Sequence, residues 1–353
     1  MPHKEESQIT AVPLHDTFAA EVRGVDFSKE LSDEDFQQLK QDQYGVVVFR
    51  NTRLTDEGHI AFSRRFGELD DISPYTKAGK KNRLGYDELF DVSNLLDDGS
   101  VAPLDSHRAA MNKVRHPTPF YYTRSPLQGN SLFHVDSSFN PRRAGYSLLR
   151  AHELPPSGHG GNTEYADART AYDDLPEDLK QELLANDYVV CHSLYHSRKL
   201  ASPDSLPGVN PEDHFMSRHK LIQRHEPSGR MNLYIASHAH HIEGLSAEKS
   251  KELISTLYQH ACQSKYVVSI EWKNNTDLLL WDNTCVMHRA AGGSFEGKFK
   301  RDMRRTVWIF SRFCVAVSAN QRQTVHDSSS QAWGLNEPTT ERMGTAADIR
   351  LRS

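Results

Sequence analysis

The sequence predicts a mainly β fold, built as a β-sandwich or open barrel with flanking helices packed outside it. Three observations support this prediction: apolar runs of strand length crowd the C-terminal half, helical patterns lie mainly in the N-terminal half, and one long insertion is present. The chain shows no internal repeat and, apart from its tail, no low-complexity tract. We therefore expect a single domain over residues 1–317 and a polar C-terminal extension over residues 318–353.

Two capped helices and one buried strand are predicted near the N-terminus. Ser32 begins an S-x-x-D capping pattern ahead of a helix over 33–41, and Thr55 is a candidate cap for a second helix that ends near Gly67. Between them, the uninterrupted apolar run 45–49 is typical of a buried strand.

The rest of the chain alternates helical and strand patterns. Apolar residues recur at helical spacing over 168–185 and 246–262. Six further short apolar runs predict strands, at 147–151, 188–191, 232–236, 266–272, 278–281 and 306–313. Strands therefore outnumber helices in the second half of the chain.

Composition argues against two classes of partner. The 353 residues are 37% hydrophobic and 25% charged, and no apolar run approaches the roughly 20 residues that a membrane-spanning helix needs. The formal net charge is −5, and no basic stripe interleaved with aromatic residues is present, so nothing attracts a phosphate backbone. We expect a small molecule as the partner, and neither a membrane nor a nucleic acid.

The cysteines and the first residues bear on the compartment. The four cysteines show neither C-x-x-C pairing nor the density of a disulfide scaffold; they are Cys191, Cys262, Cys285 and Cys314. The first ten residues, MPHKEESQIT, lack the apolar core of a secretory signal. These features predict a protein of a reducing compartment, the cytoplasm.

A histidine and an aspartate two residues apart form a candidate metal motif. His134 and Asp136 lie in an apolar, strand-like segment, 132–137, where a period of two places both side chains on one face. His288 is the candidate for a second histidine, which would complete a two-histidine, one-carboxylate triad with three metal positions open. Because the chain has 19 histidines, the H-x-D pair by itself is weak evidence. The same three ligands would also suit a zinc hydrolase.

Two arginines follow His288 at positions suited to an anionic co-substrate. Arg301 and Arg305 stand 13 and 17 residues after it. A dicarboxylate that chelates a metal through a keto acid end presents its far carboxylate at a distance, where an arginine can bind it in a bidentate, charge-assisted pair. Without the triad, the segment 300–305 would be interpreted as a solvated charge run. With the triad, we interpret Arg301 as a co-substrate ligand.

Several sequence blocks, taken in order, resemble one known family. They are G-V-D-F-S at 24–28, R-F-G-E-L at 65–69, H-V-D-S-S-F at 134–139, G-G-N-T-E-Y-A-D at 160–167, W-D-N at 281–283 with H-R at 288–289, and R-D-M-R-R at 301–305. The chain resembles the taurine dioxygenase and 2,4-dichlorophenoxyacetate dioxygenase group of iron(II)/2-oxoglutarate oxygenases, and it is more similar to the second branch. The likeness spans nearly the whole chain, and several blocks in family order are far more specific than any single motif.

The resemblance implies a fold, a metal centre and a co-substrate. The fold is a double-stranded β-helix, or jelly-roll, with His134, Asp136 and His288 as iron ligands at its mouth. The reaction requires Fe(II), 2-oxoglutarate and O2. In this family the threonine of the G-G-x-T block helps to bind the far carboxylate of 2-oxoglutarate, which points to Thr163 as the partner of Arg301. The alternative for this block is an ordinary turn before a strand.

The resemblance also implies residues around the substrate. Arg305 matches the family residue that faces the substrate's acidic group and the near carboxylate of 2-oxoglutarate. Asn130 occupies a pocket-lining position in the relatives, although an asparagine after a glycine is equally typical of a turn. We interpret the histidines of segment 238–241 as structural or solvated, because alternation sends neighbouring side chains to opposite faces, and single out His238 as a pocket candidate. The segment D-D-I-S at 70–73 stands where the taurine enzyme has a substrate-contacting histidine, so a sulfonate substrate is not expected.

The expected activity is oxidation of an unactivated C–H bond in a small carboxylic acid, such as an aryloxyalkanoate or an amino-acid-like molecule, with release of succinate and CO2. Hydroxylation is the default outcome, while ether cleavage, desaturation and ring closure stay open. Asp136 argues against a halogenase, because halide needs the carboxylate's position on the metal. A non-catalytic 2-oxoglutarate or metal sensor on the same scaffold is a further alternative. The resemblance is compatible with a homo-oligomer, either a dimer or a tetramer.

Overall fold

The computed structural model describes residues 9–41, 44–73, 82–104, 132–201, 206 and 208–309. Cys314 and the predicted extension 318–353 lie outside these residues. No helix in the described part is long and apolar enough to span a membrane. The described part is mainly β, as the sequence predicts.

Strands and helices alternate irregularly along the described chain. The strands are β1 (Thr10–Pro13), β2 (Ala19–Arg23), β3 (Val46–Phe49), β4 (Phe90–Asp91), β5 (Ala144–Glu153), β6 (Thr163–Asp167), β7 (Val189–His192), β8 (Ser217–Lys220), β9 (Ile222–Arg224), β10 (Met231–Leu233), β11 (Ala239–Ile242), β12 (Val267–Ile270), β13 (Leu278–Asp282), β14 (Val286–Ala290) and β15 (Asp302–Ile309). The helices are α1 (Asp33–Gln41), α2 (Asp56–Arg64), α3 (Ala168–Asp173), α4 (Glu177–Asn186), α5 (Leu194–Ala201) and α6 (Ala247–Ala261).

Seven strands form the largest sheet, in the order β1-β2-β3-β13-β5-β15-β4. Its neighbours run antiparallel, except β2 and β3, which are parallel. Smaller sheets are formed by β12-β6-β14, by β11-β7-β8 and by β10-β9. Strands from opposite ends of the chain are direct neighbours in the large sheet, so long-range pairing defines the fold.

One face of the large sheet packs against the sheet β12-β6-β14. Val46, Val48 and Trp281 project from the large sheet into an apolar cluster that also contains Tyr165 of β6 and Val286 of β14. All five side chains are buried. Because alternate residues of a strand point to opposite faces, the apolar run of β3 contributes to two cores.

The opposite face of the large sheet packs against α1 and α2. Val47 and Phe49 of β3 lie in a second cluster with Phe36 of α1, Phe62 of α2 and Phe66 just beyond it. The Phe62 ring meets the Phe49 and Phe66 rings edge-on, with centroids 6.4 and 5.6 Å apart. Edge contacts of this kind add about 0.5–1.5 kcal/mol to the burial of apolar area.

A third cluster covers the other side of the sheet β12-β6-β14. Ala166 of β6 and Met287 of β14 pack there with Tyr172 of α3 and Leu257 of α6. The described residues of the first 309 are therefore layered as helix, large sheet, small sheet and helix, and the candidate metal motif lies at the edge of the small sheet.

Three of the predicted helices begin at a capping residue, and two of these caps, Ser32 and Thr55, were predicted from the sequence. Ser32, Thr55 and Ser246 each accept a hydrogen bond from a backbone N–H of the first turn through the side-chain oxygen. α2 ends at Arg64, three residues before the predicted end at Gly67.

The prediction of one helix over 168–185 is wrong. The structure has two helices there, α3 and α4, separated by three residues that end in Pro176. Proline lacks the N–H that continues a helix and disfavours helical geometry in the residue before it. Pro176 instead occupies the N-cap position of α4.

The predicted strands coincide with seven of the fifteen strands in the described residues, and the other eight are missed. The predicted strand 232–236 is confined to β10, and the predicted strand 306–313 begins earlier, at Asp302, with its part beyond Ile309 outside the described residues. Helices are not concentrated in the N-terminal half, since α4, α5 and α6 lie beyond it. The structure adds elements that apolar patterns did not predict, among them β1, β2, β8, β14 and α5.

Candidate functional site

Two backbone hydrogen bonds hold the candidate histidine ligands side by side. The His134 N–H donates to His288 O at 3.0 Å and the His288 N–H donates to His134 O at 2.9 Å, which forms an isolated antiparallel bridge. His288 lies on β14, so the bridge attaches the His134 segment to the edge of the small sheet. The two imidazole ring centroids are 4.2 Å apart.

Asp136 completes a cluster of three potential metal ligands. One donor atom from each of His134, Asp136 and His288 lies within 4.8 Å of the others. Asp136 Oδ1 is 3.6 Å from His288 Nε2 and accepts a hydrogen bond from Arg305 Nη1 at 2.8 Å. The structure therefore brings together the three side chains that the sequence singled out.

The charge states of these side chains suit a divalent cation. Burial raises the pKa of the Asp136 carboxyl, but this effect is outweighed, chiefly by Arg305, and the pKa falls to about 2. Burial lowers the pKa of His134, and it holds the pKa of His288 well below its usual value. At neutral pH the cluster is one carboxylate and two neutral imidazoles, the forms in which these side chains bind metals.

A serine and a buried asparagine support the Asp136 carboxylate. Ser147 Oγ donates to Asp136 Oδ2 at 2.8 Å. Asn283 Oδ1 accepts the Asp136 backbone N–H and the Trp281 indole N–H, both at 3.1 Å. Asn283 Nδ2 donates to Gly145 O at 2.9 Å and to Ser147 Oγ at 2.8 Å.

The neighbours of Asn283 determine where the Ser147 proton lies. Backbone and indole N–H groups only donate and a carbonyl only accepts, so Oδ1 of Asn283 must face the N–H groups and Nδ2 must face Gly145 O. Ser147 Oγ then accepts from Nδ2, and its own proton is directed at Asp136. Asp136 consequently presents its other oxygen, Oδ1, toward His288. No sequence pattern pointed to Ser147, and Asn283 entered only as part of a family block.

Arg301 is a buried cation without an acidic partner among the described residues. Its Nε donates to Gly161 O at 3.1 Å, and the residue is 7% exposed. Burial lowers the pKa of Arg301 to about 10, an effect that the neighbouring Tyr165 opposes, so the guanidinium remains charged at neutral pH. Because a buried charge is costly unless it is paired, this group is suited to bind an anion from outside the chain.

The G-G-x-T block lies against Arg301. Gly161 has a φ of +90°, and a Cβ at this position would lie 3.2 Å from Arg301 Nε, so only glycine suits both the backbone and the contact. Thr163, two residues on, is buried at the start of β6, where Oγ1 accepts the Trp272 indole N–H at 3.2 Å. The block is thus a turn before a strand and also a neighbour of the buried cation.

Arg305 and His238 lie next to the candidate metal ligands. Arg305 binds Asp136 directly, as described above. The His238 ring centroid is 6.2 Å from that of His134 and 5.0 Å from that of Phe139. His238 Nδ1 is buried without a hydrogen-bond partner in the described part of the chain, and burial lowers the pKa of His238 to about 3. His238 therefore offers a neutral imidazole beside the cluster.

Asp70 lies beside the cluster although the sequence did not identify it as a site residue. Its Oδ2 is 3.4 Å from the hydroxyl of Ser137, the residue after the carboxylate ligand. Burial raises the pKa of Asp70 to about 6, with Ser137 and Arg305 opposing the shift. The only sequence signal for Asp70 was its place in the segment 70–73, which differs from the corresponding segment of the taurine enzyme. Asn130, the remaining pocket candidate, lies outside the described residues.

The histidines of β11 correct one expectation. Strand alternation would separate His240 from His241, yet their Nδ1 atoms are 2.9 Å apart. The pairing of β11 with β7 shifts register between Ala239 and His241, and such a bulge interrupts alternation. Both rings are half-buried, and neither belongs to a cluster of three potential metal ligands in the described residues.

A second cluster of potential ligands, His225, Asp282 and Cys285, has its own internal partners. His225 Nε2 donates to Asp282 Oδ2 at 3.1 Å, and His225 Nδ1 is hydrogen-bonded to the Ser228 hydroxyl at 2.7 Å. Thr284 donates to Asp282 Oδ1 from its backbone N–H and its hydroxyl, at 2.8 and 2.6 Å. Burial raises the pKa of the Cys285 thiol, which therefore stays protonated. We interpret this cluster as structural.

The first cluster fits a divalent metal together with a dicarboxylate. Two neutral imidazoles and one ionised carboxylate match the donor set that binds non-haem Fe(II) with open positions. The guanidinium of Arg301 has no anion, and the buried hydroxyl of Tyr165 has no hydrogen-bond partner among the described residues. Both groups are suited to a ligand that carries carboxylate oxygens.

The chain is similar to known proteins over a region that includes the candidate site. The family described as taurine catabolism dioxygenase TauD, TfdA family, matches residues 10–307. An alpha-ketoglutarate-dependent 2,4-dichlorophenoxyacetate dioxygenase of Cupriavidus pinatubonensis is 35% identical over 312 residues, with 85% of this chain and 98% of that protein covered. An (S)-phenoxypropionate/alpha-ketoglutarate-dioxygenase of Sphingobium herbicidovorans is 33% identical, with 79% of this chain and 88% of that protein covered.

A solved structure has a similar fold. It is described as AAD-2 in complex with Mn(II) and N-oxalylglycine, and it superposes with a TM-score of 0.72 at 32% identity. The match covers 88% of this chain and 99% of that chain. The similarity therefore includes both the layered sheets and the segments that carry the metal cluster.

Proposed function

This chain belongs to the TauD, TfdA family of dioxygenases, and we propose that it oxidises a C–H bond of a small carboxylic acid with Fe(II), 2-oxoglutarate and O2. It is a 2-oxoglutarate-dependent oxidoreductase, since its relatives are alpha-ketoglutarate-dependent dioxygenases. The observation that carries the proposal is the convergence of His134, Asp136 and His288 on one point. Membership of this family favours an oxygenase over a zinc hydrolase or a non-catalytic sensor.

The three converging side chains hold the metal in this proposal. Neutral His134 and His288 donate nitrogen lone pairs, and Asp136 donates an oxygen that is ionised at neutral pH. When bound, Fe(II) supplies, with 2-oxoglutarate and O2, the oxidation that yields succinate, CO2 and the oxidised substrate. Three protein ligands leave three further positions free for other groups.

Arg301 and Thr163 bind the far carboxylate of 2-oxoglutarate. The Arg301 guanidinium is buried, so a charge-assisted hydrogen bond to it is weakly screened by solvent. Gly161 allows the backbone to approach this guanidinium and orients it through Nε. Thr163 adds a hydroxyl at the start of the adjacent strand. Asn130 remains a predicted contributor to this pocket.

Arg305 and His238 orient the substrate. Arg305 donates a hydrogen bond to Asp136 through one guanidinium nitrogen, Nη1, and its other N–H groups can bind a substrate carboxylate. His238 and Phe139 contribute an uncharged surface beside His134. The relatives named for 2,4-dichlorophenoxyacetate and (S)-phenoxypropionate support an aryloxyalkanoate as the substrate class. Hydroxylation next to the ether oxygen would then lead to ether cleavage.

Two wider features belong to the same proposal. The large sheet facing β12-β6-β14 supports a double-stranded β-helix as the core architecture. A homo-oligomer, either a dimer or a tetramer, is the expected assembly, and light scattering on the purified protein tests it.

Succinate release tests the activity. Purified protein with Fe(II), 2-oxoglutarate and O2 is screened against aryloxyacetates, aryloxypropionates and amino acids. We expect one acid of this panel to stimulate succinate formation, with one succinate per oxidised substrate. Activity that zinc supports without 2-oxoglutarate would overturn the proposal.

An anaerobic binding measurement tests the site separately from turnover. Addition of Fe(II) and 2-oxoglutarate to the wild-type protein should give the weak visible charge-transfer absorption of the chelate. His134→Ala should abolish this band, whereas His15→Ala, outside the cluster, should retain it. If the wild-type protein shows no band, the assignment of His134, Asp136 and His288 as iron ligands is wrong.

A further inference from the structure

Tyr165 carries a buried hydroxyl that has no hydrogen-bond partner among the residues that the structure describes. The side chain is fully buried on β6, where it pairs in register with His288 of β14. Its ring centroid is 6.2 Å from that of His288 and 5.5 Å from that of Trp281. Buried hydroxyls are nearly always hydrogen-bonded, because an unsatisfied one is destabilising. This one therefore requires an explanation.

Strand geometry places Tyr165 on the same side of β6 as the co-substrate residues. Tyr165 and Thr163 are two residues apart, so their side chains project from one face of the strand. Glu164 between them points to the other face, where it accepts a hydrogen bond from Arg289 Nε at 2.6 Å. Tyr165 is therefore adjacent both to His288, its partner on the neighbouring strand, and to Thr163, two residues away on the same face.

The charged groups that influence the pKa of Tyr165 all belong to the proposed site. Burial raises the pKa of Tyr165 well above its usual value, with further influence from Asp136, Arg301 and Arg305. The hydroxyl consequently stays protonated and acts as a hydrogen-bond donor. Arg301, for its part, has no acidic partner among the described residues. A single carboxylate can satisfy both groups.

We propose that the Tyr165 hydroxyl donates a hydrogen bond to the far carboxylate of 2-oxoglutarate, beside Arg301 and Thr163. This inference rests on the proposed function, because it takes Arg301 as the anchor of that carboxylate. Binding of the co-substrate supplies the partner that the hydroxyl lacks among the described residues. The competing partner is a buried water molecule, which would make the affinity for 2-oxoglutarate independent of the hydroxyl.

Tyr165→Phe tests the inference, because it removes the hydroxyl and keeps the ring against Trp281 and His288. Mn(II) replaces Fe(II) so that no turnover occurs, and calorimetry measures the dissociation constants of Mn(II) and then of 2-oxoglutarate. We expect unchanged Mn(II) affinity and about tenfold weaker binding of 2-oxoglutarate, the effect of losing one hydrogen bond to a charged group. In the absence of 2-oxoglutarate, the variant should unfold at the same temperature as the wild type or at a higher one.

Tyr266→Phe is the matched control. Tyr266 is equally buried, but its hydroxyl donates to Asp174 at 2.9 Å, away from the metal cluster. This variant should lose stability and keep the wild-type affinity for 2-oxoglutarate. Equal 2-oxoglutarate affinity in the wild type and Tyr165→Phe would overturn the inference alone. Failure of the Mn(II)-loaded wild type to bind 2-oxoglutarate would overturn the proposed function, and the inference with it.

Discussion

The two oxygens of the Asp136 carboxylate have different partners. Oδ2 accepts the Ser147 hydroxyl, whereas Oδ1 faces His288 and Arg305. A carboxylate held in this way offers one oxygen to a cation and keeps the other from chelating it. Hydrogen-bond partners behind a metal ligand typically change metal affinity by roughly 10- to 100-fold.

We expect Ser147→Ala to weaken Mn(II) binding by roughly 10- to 100-fold, because the Asp136 carboxylate loses the hydrogen bond that orients it. Titration of the metal-free protein, followed by the paramagnetic resonance signal of free Mn(II), measures the dissociation constant. Ser250→Ala is the control, since Ser250 is an equally buried serine whose hydroxyl bonds only the backbone of Ile242. Equal affinity in Ser147→Ala and Ser250→Ala would contradict the prediction.

The raised pKa of Asp70 predicts that its contribution to the free energy of unfolding depends on pH. Burial raises its pKa from 3.8 to about 6, so between these values the folded protein holds a proton that the unfolded chain releases. The contribution of Asp70 to the free energy of unfolding is therefore greatest at low pH and falls as the pH rises through about 6. Asp70→Asn should gain stability over the wild type as the pH rises from about 4 to about 7. Urea unfolding at a series of pH values measures the difference in free energy of unfolding between Asp70→Asn and the wild type. A difference that does not change with pH would show that the pKa of Asp70 is not raised in the folded protein.

Residue-level prediction was most specific where the chemistry is rare and the spacing is informative. The H-x-D spacing singled out His134 and Asp136, although the predicted strand over 132–137 is wrong: the structure has an isolated bridge at His134 and turn backbone from Asp136 onward. Arg301 was singled out by its distance of 13 residues from His288. Tyr165 could not be singled out, because a phenol in a strand is ordinary until its burial and its missing partner are known. The structural role of such a residue depends on the contacts that surround it.

At the scale of elements, the turn before β6 has a specific task. Gly158, Gly160 and Gly161 all have a positive φ, a backbone conformation that residues with a side chain rarely adopt. Only some of these positions also need space: a Cβ at Gly161 would crowd Arg301, whereas a Cβ at Gly158 would meet nothing within 4 Å. Substitutions at Gly158 and Gly161 can therefore distinguish the effect of backbone strain from the effect of a contact with Arg301.

Gly161→Ala should weaken 2-oxoglutarate binding by about tenfold or more, because the new Cβ displaces the Arg301 guanidinium from its position. Gly158→Ala introduces similar backbone strain without the contact, so it should lose stability but keep co-substrate affinity. Calorimetric titration of the Mn(II)-loaded variants measures both. The same loss of affinity in both variants would show that backbone strain, and not the contact with Arg301, is responsible.

Element boundaries were predictable where a local interaction sets them. The starts of α1, α2 and α6 follow from caps that bond their own first turn. The division between α3 and α4 also had a local signal, Pro176, which the apolar spacing of the segment concealed. The bulge in β11 had none, because it arises from pairing with β7, a strand about 50 residues earlier. Long-range pairing is what the apolar pattern of one segment does not contain.

At the scale of the whole molecule, several histidines are buried in neutral form. Burial lowers the pKa of His59, His219 and His238 to about 3, and it holds the pKa of His192 and His288 well below the usual value. Each of them takes up a proton when the chain unfolds at a pH between its folded pKa and about 6.5. Because the unfolded state binds more protons in this range, the free energy of unfolding rises with pH.

We expect the free energy of unfolding of the metal-free protein to fall as the pH decreases from about 7 to about 5, by up to about 1.4 kcal/mol per pH unit for each such histidine. Urea unfolding at several pH values measures this slope. His59→Gln should reduce the slope by the share of one histidine, since His59 is buried on α2 against Thr306, away from the metal cluster. A stability that is constant or greater in acid would contradict the prediction.

The backbone bridge between His134 and His288 has a consequence for biosynthesis. The ribosome adds about 150 residues between Asp136 and His288, which takes roughly 8 to 30 s at about 5–20 residues per second. Throughout this interval a nascent chain can offer a cation only one imidazole and one carboxylate of the candidate site. The second imidazole is positioned by the same two backbone hydrogen bonds that attach the His134 segment to the sheet edge. If the site is the iron centre proposed above, tight metal binding therefore requires that these two distant segments have already paired.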